Sequence, residues 1–441
     1  MDDLFSARAQ MGLSLAFHIL FGIAGMAMPL MMAIAETVWL RTGNQIYLEL
    51  AKRWSKGTAI LFAVGAVSGT ALSFELGLLW PGFMKYAGPV IGTPFSLEGF
   101  AFFFEAIFLG IYLYGWNKIS PKMHCLAGYL VAFFGLASGT IVIAVNAWMN
   151  TPAGFTTVAG TNEIATIDVW GAVFNPAFPT QAMHSGLGAY CAVAFAVLGI
   201  HCFGLLREKN NAFHLAAAKI AFGMALVATP LQMLSGDISA RHVGEYQPAK
   251  LAAMEGLYKT QKGAPLALGG IPIDDEERMI GAIHIPKALS FLQTGDADAE
   301  IKGLDAFPEE DRPNTFWVHL AFQLMVACGS AMMGLVSLGA FLWWRGKRFP
   351  TQRWFLKAAL LVHPLGLVAV EAGWCVTELG RQPWVIYNIM RTEDAVTPMP
   401  GLWVPCLFFT ALYVFLGITV LILLNNHVFH SPSVVAVERS K

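Results

Sequence analysis

A chain of 441 residues that is 56% hydrophobic and only 13% charged does not suit a water-soluble domain, and it reads as an all-α, polytopic membrane protein. The formal net charge of −1 says nothing about a nucleic-acid partner, and no basic patch suggests one, so none is expected. Six cysteines, at 125, 191, 202, 328, 375 and 406, form no C-x-x-C pair and fall mostly in apolar runs, so they read as packing residues rather than disulfides or a metal site.

A bilayer core asks for about 20 apolar residues per spanning helix. Nine segments qualify, roughly 12–39, 55–80, 94–116, 124–148, 179–206, 216–236, 314–344, 354–379 and 401–425. The start, Met-Asp-Asp-Leu-Phe-Ser, lacks the basic stretch of a signal peptide, and the first apolar run is too long for one, so it is expected to stay as a helix. Lys and Arg concentrate in alternate connections: Arg41, Lys52, Arg53 and Lys56; Lys118 and Lys122; Arg207, Lys209 and Lys219; Arg345, Lys347, Arg348, Arg353 and Lys357; then Arg439 and Lys441 in the tail. The intervening connections are poor in base, with only Lys85 in 81–93 and none in 149–178. Basic loops stay in the cytoplasm, which puts the N-terminus outside and the C-terminus inside. The chain then divides into helices 1–6 (1–236), an outer hydrophilic loop (237–312), and helices 7–9 with a short tail (313–441). The loop has mixed charge and no clear element pattern, which suggests a functional or mobile segment.

Polar residues inside the apolar segments are costly and therefore informative. The first segment carries His18 in its outer part, and the second Glu75 near its outer end. The third has Glu98 near its outer end, with Glu105 two turns deeper on the same face. His184 lies near the outer end of the fifth, and His319 and Met325 in the outer half of the seventh. The eighth ends in Glu371 and Glu378, two turns apart on one face, with Arg381 a turn later and Pro383 expected to end the helix. These groups share the outer half of the membrane, as a buried cofactor cluster or a proton path would require. His, Met and carboxylate are available as ligands, and clustered cysteine is not. His with Met is an axial pair for an electron-transfer haem, and a singly ligated iron leaves a position for oxygen. The histidines are too dispersed for a copper centre or a bis-histidine cytochrome.

The block Glu-Leu-Gly-Arg-Gln-Pro-Trp at 378–384, with Glu-Ala-Gly-Trp at 371–374, resembles subunit I of cytochrome bd-type quinol oxidases. Further matches follow in order: Arg-Ala-Gln-Met at 8–11 with Phe-His-Ile-Leu-Phe at 17–21, Pro-Phe-Ser-Leu-Glu-Gly-Phe-Ala-Phe-Phe-Phe-Glu at 94–105, Val-Asn-Ala-Trp-Met-Asn-Thr-Pro at 145–152, Met-His at 183–184, Lys-Leu-Ala-Ala-Met-Glu at 250–255, and Phe-Gln-Leu-Met-Val at 322–326. The resemblance implies a quinol:oxygen oxidoreductase of the bacterial cytoplasmic (inner) membrane, in contact with lipid. It implies a subunit II partner and a small single-helix subunit. It also implies two b-type haems, one low-spin and one high-spin, with haem d or a third haem b at the oxygen site. By the same resemblance His184 and Met325 ligate the low-spin haem. His18 and Glu378 serve the neighbouring pair, Arg381 and Trp384 contact cofactor, and Trp374 lies between haems. Glu98 and Glu105 serve that pair and its protons, and Lys250 and Glu255 serve quinol. Two features depart from familiar members: Gln323 stands where they carry arginine, which implies a changed potential or propionate pairing, and the outer loop is of the short kind that some cyanide-insensitive members share.

Ordinary readings stand beside these. His201, His319 and His363 read as core histidines with hydrogen bonds satisfied. Met325 is one of 19 methionines, most of which pack. Glu75 and Glu371 suit structural partners equally well, Trp384 an interfacial anchor, and Lys250 with Glu255 a solvated pair. Two other functions remain at this stage: an ion-coupled transporter using Glu98, Glu105, Glu371 and Glu378, for which no internal repeat is visible, and an assembly subunit with no redox role.

Overall fold

Long apolar runs leave a backbone no water to bond, so each closes its hydrogen bonds within a helix. The computed structural model describes residues 2–209 and 211–429. The helices are α1 (Asp3–Thr42), α2 (Gln45–Leu79), α3 (Pro81–Tyr114), α4 (Pro121–Asn150), α5 (Val169–Val173), α6 (Phe178–Arg207) and α7 (Ala212–Tyr246). They continue with α8 (Pro248–Glu255), α9 (Ala288–Thr294), α10 (Thr315–Gly346), α11 (Arg353–Val362), α12 (Leu365–Leu379), α13 (Thr392–Ala395) and α14 (Trp403–Leu424). Among the described residues nine helical stretches are long and apolar enough to cross a membrane, α11 and α12 together making one of them.

The helices overrun the apolar windows because caps and turn residues, not hydropathy, set their ends. Asp2, Asn44, Ser120, Asn211 and Asn314 each accept a backbone N–H at the start of α1, α2, α4, α7 and α10. Residues 81–93, expected as a connection, are the first turns of α3, which Trp80 alone separates from α2. Glu98 consequently lies near the middle of α3, not near its end. Likewise α7 runs to Tyr246, so the hydrophilic region begins about ten residues later than the composition suggests. Lys52, Arg53 and Lys56 sit on the first turns of α2, not in a loop. The tail residues Arg439 and Lys441 lie outside the described residues.

The eighth apolar segment is broken. Its backbone leaves the helix at His363 and Pro364 and resumes as α12, because proline has no N–H to continue the ladder. Its end differs too: α12 stops at Leu379, before Pro383.

Helix α1 is central and packs against α2, α4, α6 and α14, while α6 pairs with α7, α3 with α4, and α10 with α12. One apolar core, including Met31, Met32, Leu50, Phe195, Phe222 and Phe355, fills the end that carries the basic connections. A second, around Trp80, Phe83, Ile91, Trp148 and Ile386, fills the other end. A buried Glu36–His124 pair at 2.8 Å ties α1 to α4 within the first of these ends. Only Tyr413 and Val420 of α14 are buried, and its many bare apolar side chains mark an outer face.

Residues 247–314 are organised, contrary to the expectation of a patternless loop. Strand pairs 266–268 with 283–285 and 271–273 with 278–280 form one bent antiparallel ribbon. A third pair joins 261–262 to 300–301. Strands of two or three residues are too short to leave an alternating pattern in the sequence. Leu251, Leu257, Ala264, Leu289 and Ile301 form a small core of their own. Met254, Tyr258 and Leu304 pack on Val318 of α10 and Val376 of α12.

Candidate functional site

Two histidines are presented in the same way. His18 of α1 has Nδ1 2.9 Å from Ser68 Oγ of α2, and Ser68 Oγ itself donates to the Val64 carbonyl at 2.9 Å. His184 of α6 has Nδ1 3.0 Å from Ser235 Oγ of α7, which donates to the Gln232 carbonyl at 2.9 Å. A hydroxyl has one proton, so in both pairs the serine accepts and the ring donates from Nδ1. Each imidazole is thereby held with Nε2 as the unprotonated nitrogen, the arrangement of a metal-ligating histidine with its outer hydrogen bond already made. The Gln232 amide nitrogen lies over the ring edge, 3.3 Å from His184 Nδ1 and 3.2 Å from Nε2. A glycine follows each serine and keeps the ring edge clear: a Cβ on Gly69 would come 3.0 Å from His18 Cε1, and one on Gly236 3.4 Å from His184 Cε1. Met325 of α10 has a similar cradle, since a Cβ on Gly373 of α12 would come 2.9 Å from its sulfur. The three candidate ligands are half-buried, not sealed in the core.

The Glu378 carboxylate of α12 is held at both oxygens. Asn146 Nδ2 donates to Oε1 and Arg381 Nη2 to Oε2, each at 2.5 Å. Asn150 Nδ2 donates to Asn146 Oδ1 at 3.1 Å, and Lys250 Nζ donates to Asn150 Oδ1 at 2.7 Å. A continuous chain therefore runs from Lys250 of α8, along one face of α4, to Glu378 and Arg381. The Lys250 stem lies against Gly380, where a Cβ would approach its Cγ to 2.7 Å. Lys250 and Glu255 are only 3% and 6% exposed, which rules out the solvated pair. Nor do they bond each other: a spacing of five puts them on different sides of α8, with Glu255 Oε2 buried and unpartnered. Burial lowers the Lys250 ammonium to about 7, with Arg381 adding to the shift, and raises the Glu255 carboxyl to about 8.

Among the described residues, Glu371 Oε1, Arg381 Nη1 and Glu75 Oε2 are also buried without a partner. Leaving one such atom unpaired costs roughly 1–3 kcal/mol, so the unpaired Glu371 oxygen and Arg381 nitrogen beside Glu378 leave room for a polar-edged group. With paired histidines, a thioether, carboxylates and a guanidinium available, the residues fit haem. Glu75 accepts from Ser14 at 2.8 Å and Tyr413 at 3.4 Å through its other oxygen, so half of it has a structural partner. Trp374 of α12 reaches α1, 4.0 Å from where a Gly12 Cβ would stand. Trp384 opens a short strand, and the Arg391 guanidinium covers its ring at 4.7 Å.

On α3, Glu98 accepts from Ser138 Oγ of α4 at 2.9 Å. Glu105, buried two turns further along, occupies a niche that glycines leave open: a Cβ on Gly135 of α4 would lie 3.0 Å from Oε1, and one on Gly25 of α1 3.5 Å away. His201 pairs with His214 at 2.9 Å, His363 with the Leu360 carbonyl at 2.5 Å, and His319 Nδ1 with the Met254 carbonyl at 2.8 Å. Sequence reasoning missed Ser68, Ser235, Asn146 and Asn150. Ser-Gly pairs stand at 68–69 and 235–236 but also at 138–139 and 185–186, so they do not single out the supports, whereas both asparagines lie in the 145–152 block.

Comparisons with known proteins show the family. The family model described as "Cytochrome bd terminal oxidase subunit I" matches residues 6–432. A Bacillus subtilis (strain 168) protein provisionally named cytochrome bd menaquinol oxidase subunit I is 39% identical over 431 residues, covering 96% of each chain. The cytochrome bd-II ubiquinol oxidase subunit 1 of Escherichia coli (strain K12) is 30% identical, covering 89% of this chain and 90% of its own. The solved bd oxidase from Geobacillus thermodenitrificans superposes with a TM-score of 0.91 at 37% identity, over 98% of this chain and 99% of the matched one. This chain, a helical bundle of that topology, belongs to the cytochrome bd terminal oxidase subunit I family.

Proposed function

We propose that this chain oxidises quinol at the end of the bundle that carries residues 247–314 and reduces oxygen to water with protons drawn from the opposite end. The observation that carries the reading is the matched presentation of His18 and His184, each with Nδ1 against a serine hydroxyl on the neighbouring helix. His184 and Met325 would hold the low-spin haem, while His18 and Glu378 would each hold one of the neighbouring pair, a haem b and a haem d or third haem b. Arg381 and Trp384 would contact their edges, and Trp374 lines the same space. Bound haem would supply the iron chemistry that carries electrons and reduces oxygen.

The protein's own groups handle the protons. Lys250 donates a hydrogen bond to the quinol oxygen, and Glu255 accepts a proton from the quinol hydroxyl. Both lie outside the spanning helices, so the protons leave on that side. Glu105 passes protons along α3 toward Glu98, which Ser138 orients. The basic connections gather at the opposite end, which supports placing that end in the cytoplasm of a bacterial inner membrane. Turnover then builds a proton motive force without pumping. A subunit II partner suits the bare face of α14, and a small single-helix subunit is a further partner.

The purified oxidase in vesicles tests this: quinol should drive oxygen uptake and a membrane potential together. Uptake without charge separation would overturn the proton route, and no uptake with haem present would overturn the quinol reading. Glu105→Gln should slow oxygen reduction about tenfold or more at normal haem content, in line with the usual worth of a proton-transfer group. Normal turnover and charge separation would remove Glu105 from the route. His18→Ala or Glu378→Ala should remove or perturb one high-spin haem and spare the low-spin one. Ser68→Ala should weaken haem retention at His18 by about tenfold or more, because it releases the ring's outer hydrogen bond. Full retention and oxygen reduction in these variants would reject the roles assigned.

A further inference from the structure

Helix α10 turns two side chains, one helical turn apart, toward the 247–314 region. The His319 ring donates toward the carbonyl of Met254 from Nδ1, at 2.8 Å, and lies 3.2 Å from the carbonyl of Gly269 through Nε2. Gln323 Oε1 accepts from the Gly269 N–H, and its Nε2 donates to the Ala267 carbonyl, both at 3.0 Å. Gly269 and Gly270 both have positive φ, which lets the ribbon bend where it meets α10. Met254, the other anchor, immediately precedes Glu255.

We propose that His319 and Gln323 form a clip that positions Glu255 for quinol, and that Gln323 acts on this outer segment and not on a haem edge. The inference rests on the quinol reading above. A carboxamide carries a donor and an acceptor at one tip and can pair with an N–H and a C=O of one extended segment. Arginine has donors only and could not accept from Gly269. Glutamine at this position therefore matches a backbone-reading role. Met325 is two residues further along and points to a different side of α10, with its sulfur over Gly373. The clip and the candidate ligand thus share one rigid helix, so the quinol segment is fixed relative to the first electron acceptor.

Gln323→Met in the intact purified oxidase keeps side-chain volume and removes both hydrogen bonds. Amide hydrogen exchange in 264–272 should speed up, and KM for a short-chain quinol should rise about tenfold. Oxygen uptake from an artificial one-electron donor, the low-spin haem spectrum and its midpoint potential should not change. Gln323→Glu retains the acceptor for Gly269 but sets a second acceptor against the Ala267 carbonyl, so exchange and KM should rise in it too. Unchanged exchange and KM, with a shifted low-spin midpoint, would overturn the clip and assign Gln323 to the haem. A wild-type protein without quinol-driven uptake would overturn the parent reading instead, while exchange at 264–272 would still decide whether the clip exists.

Discussion

Replacing Met325 with leucine is expected to abolish quinol oxidation and convert the low-spin haem to a high-spin or lower-potential form. Leucine is close to methionine in volume, and such swaps usually cost less than about 1.5 kcal/mol of stability, so the fold should persist. What is lost is the thioether sulfur, which faces Gly373 at the contact of α10 with α12. A methionine ligand raises a haem potential, and two protein ligands keep the iron closed to oxygen. In the proposed assignment His184, with Nδ1 3.0 Å from Ser235 Oγ, would then be the one remaining protein ligand. Reduced-minus-oxidised spectra and a redox titration read the change directly. An unchanged low-spin spectrum and potential would show that another residue is the ligand.

Glu255→Ala is expected to eliminate quinol-driven oxygen uptake while every haem band stays in place. Uptake from an artificial donor that bypasses the outer segment should survive. The residue is 6% exposed, has an unpartnered oxygen, and is raised by burial to about 8. A general base works in its deprotonated form, so wild-type quinol oxidation should climb as pH rises through this value and then level off. Glu255→Gln should be inactive with quinol and should show no such step. The sign for stability is opposite: the folded state binds this proton more tightly than the unfolded chain does. The outer segment therefore loses stability as pH rises from the ordinary carboxylate range through about 8. Lys250, lowered to about 7, still has N–H donors on either side of that pH. If Lys250→Ala and Glu255→Ala both keep normal rate and affinity for quinol, the quinol site lies elsewhere.

The helices were legible because uninterrupted apolar runs admit few other solutions in a membrane. Their ends were not, because a cap such as Asn44 or Asn314 stands outside the hydrophobic window. Pro364 was a readable break in the eighth segment, masked by the hydropathy on both sides of it. The ribbon in 266–285 was invisible because its strands are too short to alternate. The six cysteines are free, four of them buried, as packing residues should be. Of the site, the residues proposed as ligands stood out through their cost inside apolar segments and through family motifs. Their supports did not. Ser68 meets His18 across 50 residues, and Asn146 meets Glu378 across 232, and no local period records such distant pairings. The solvated reading of Lys250 and Glu255 failed for a related reason: α8 looks like an exposed helix until α4, α10 and α12 close around it.

The optical spectrum of the purified wild-type protein, taken without oxygen before and after adding quinol, tests the central claim most directly. Haem bands that sharpen into a reduced low-spin signal on quinol addition, and revert when air is admitted, are the predicted result. A protein without haem bands, or with bands that quinol leaves oxidised, would contradict the account.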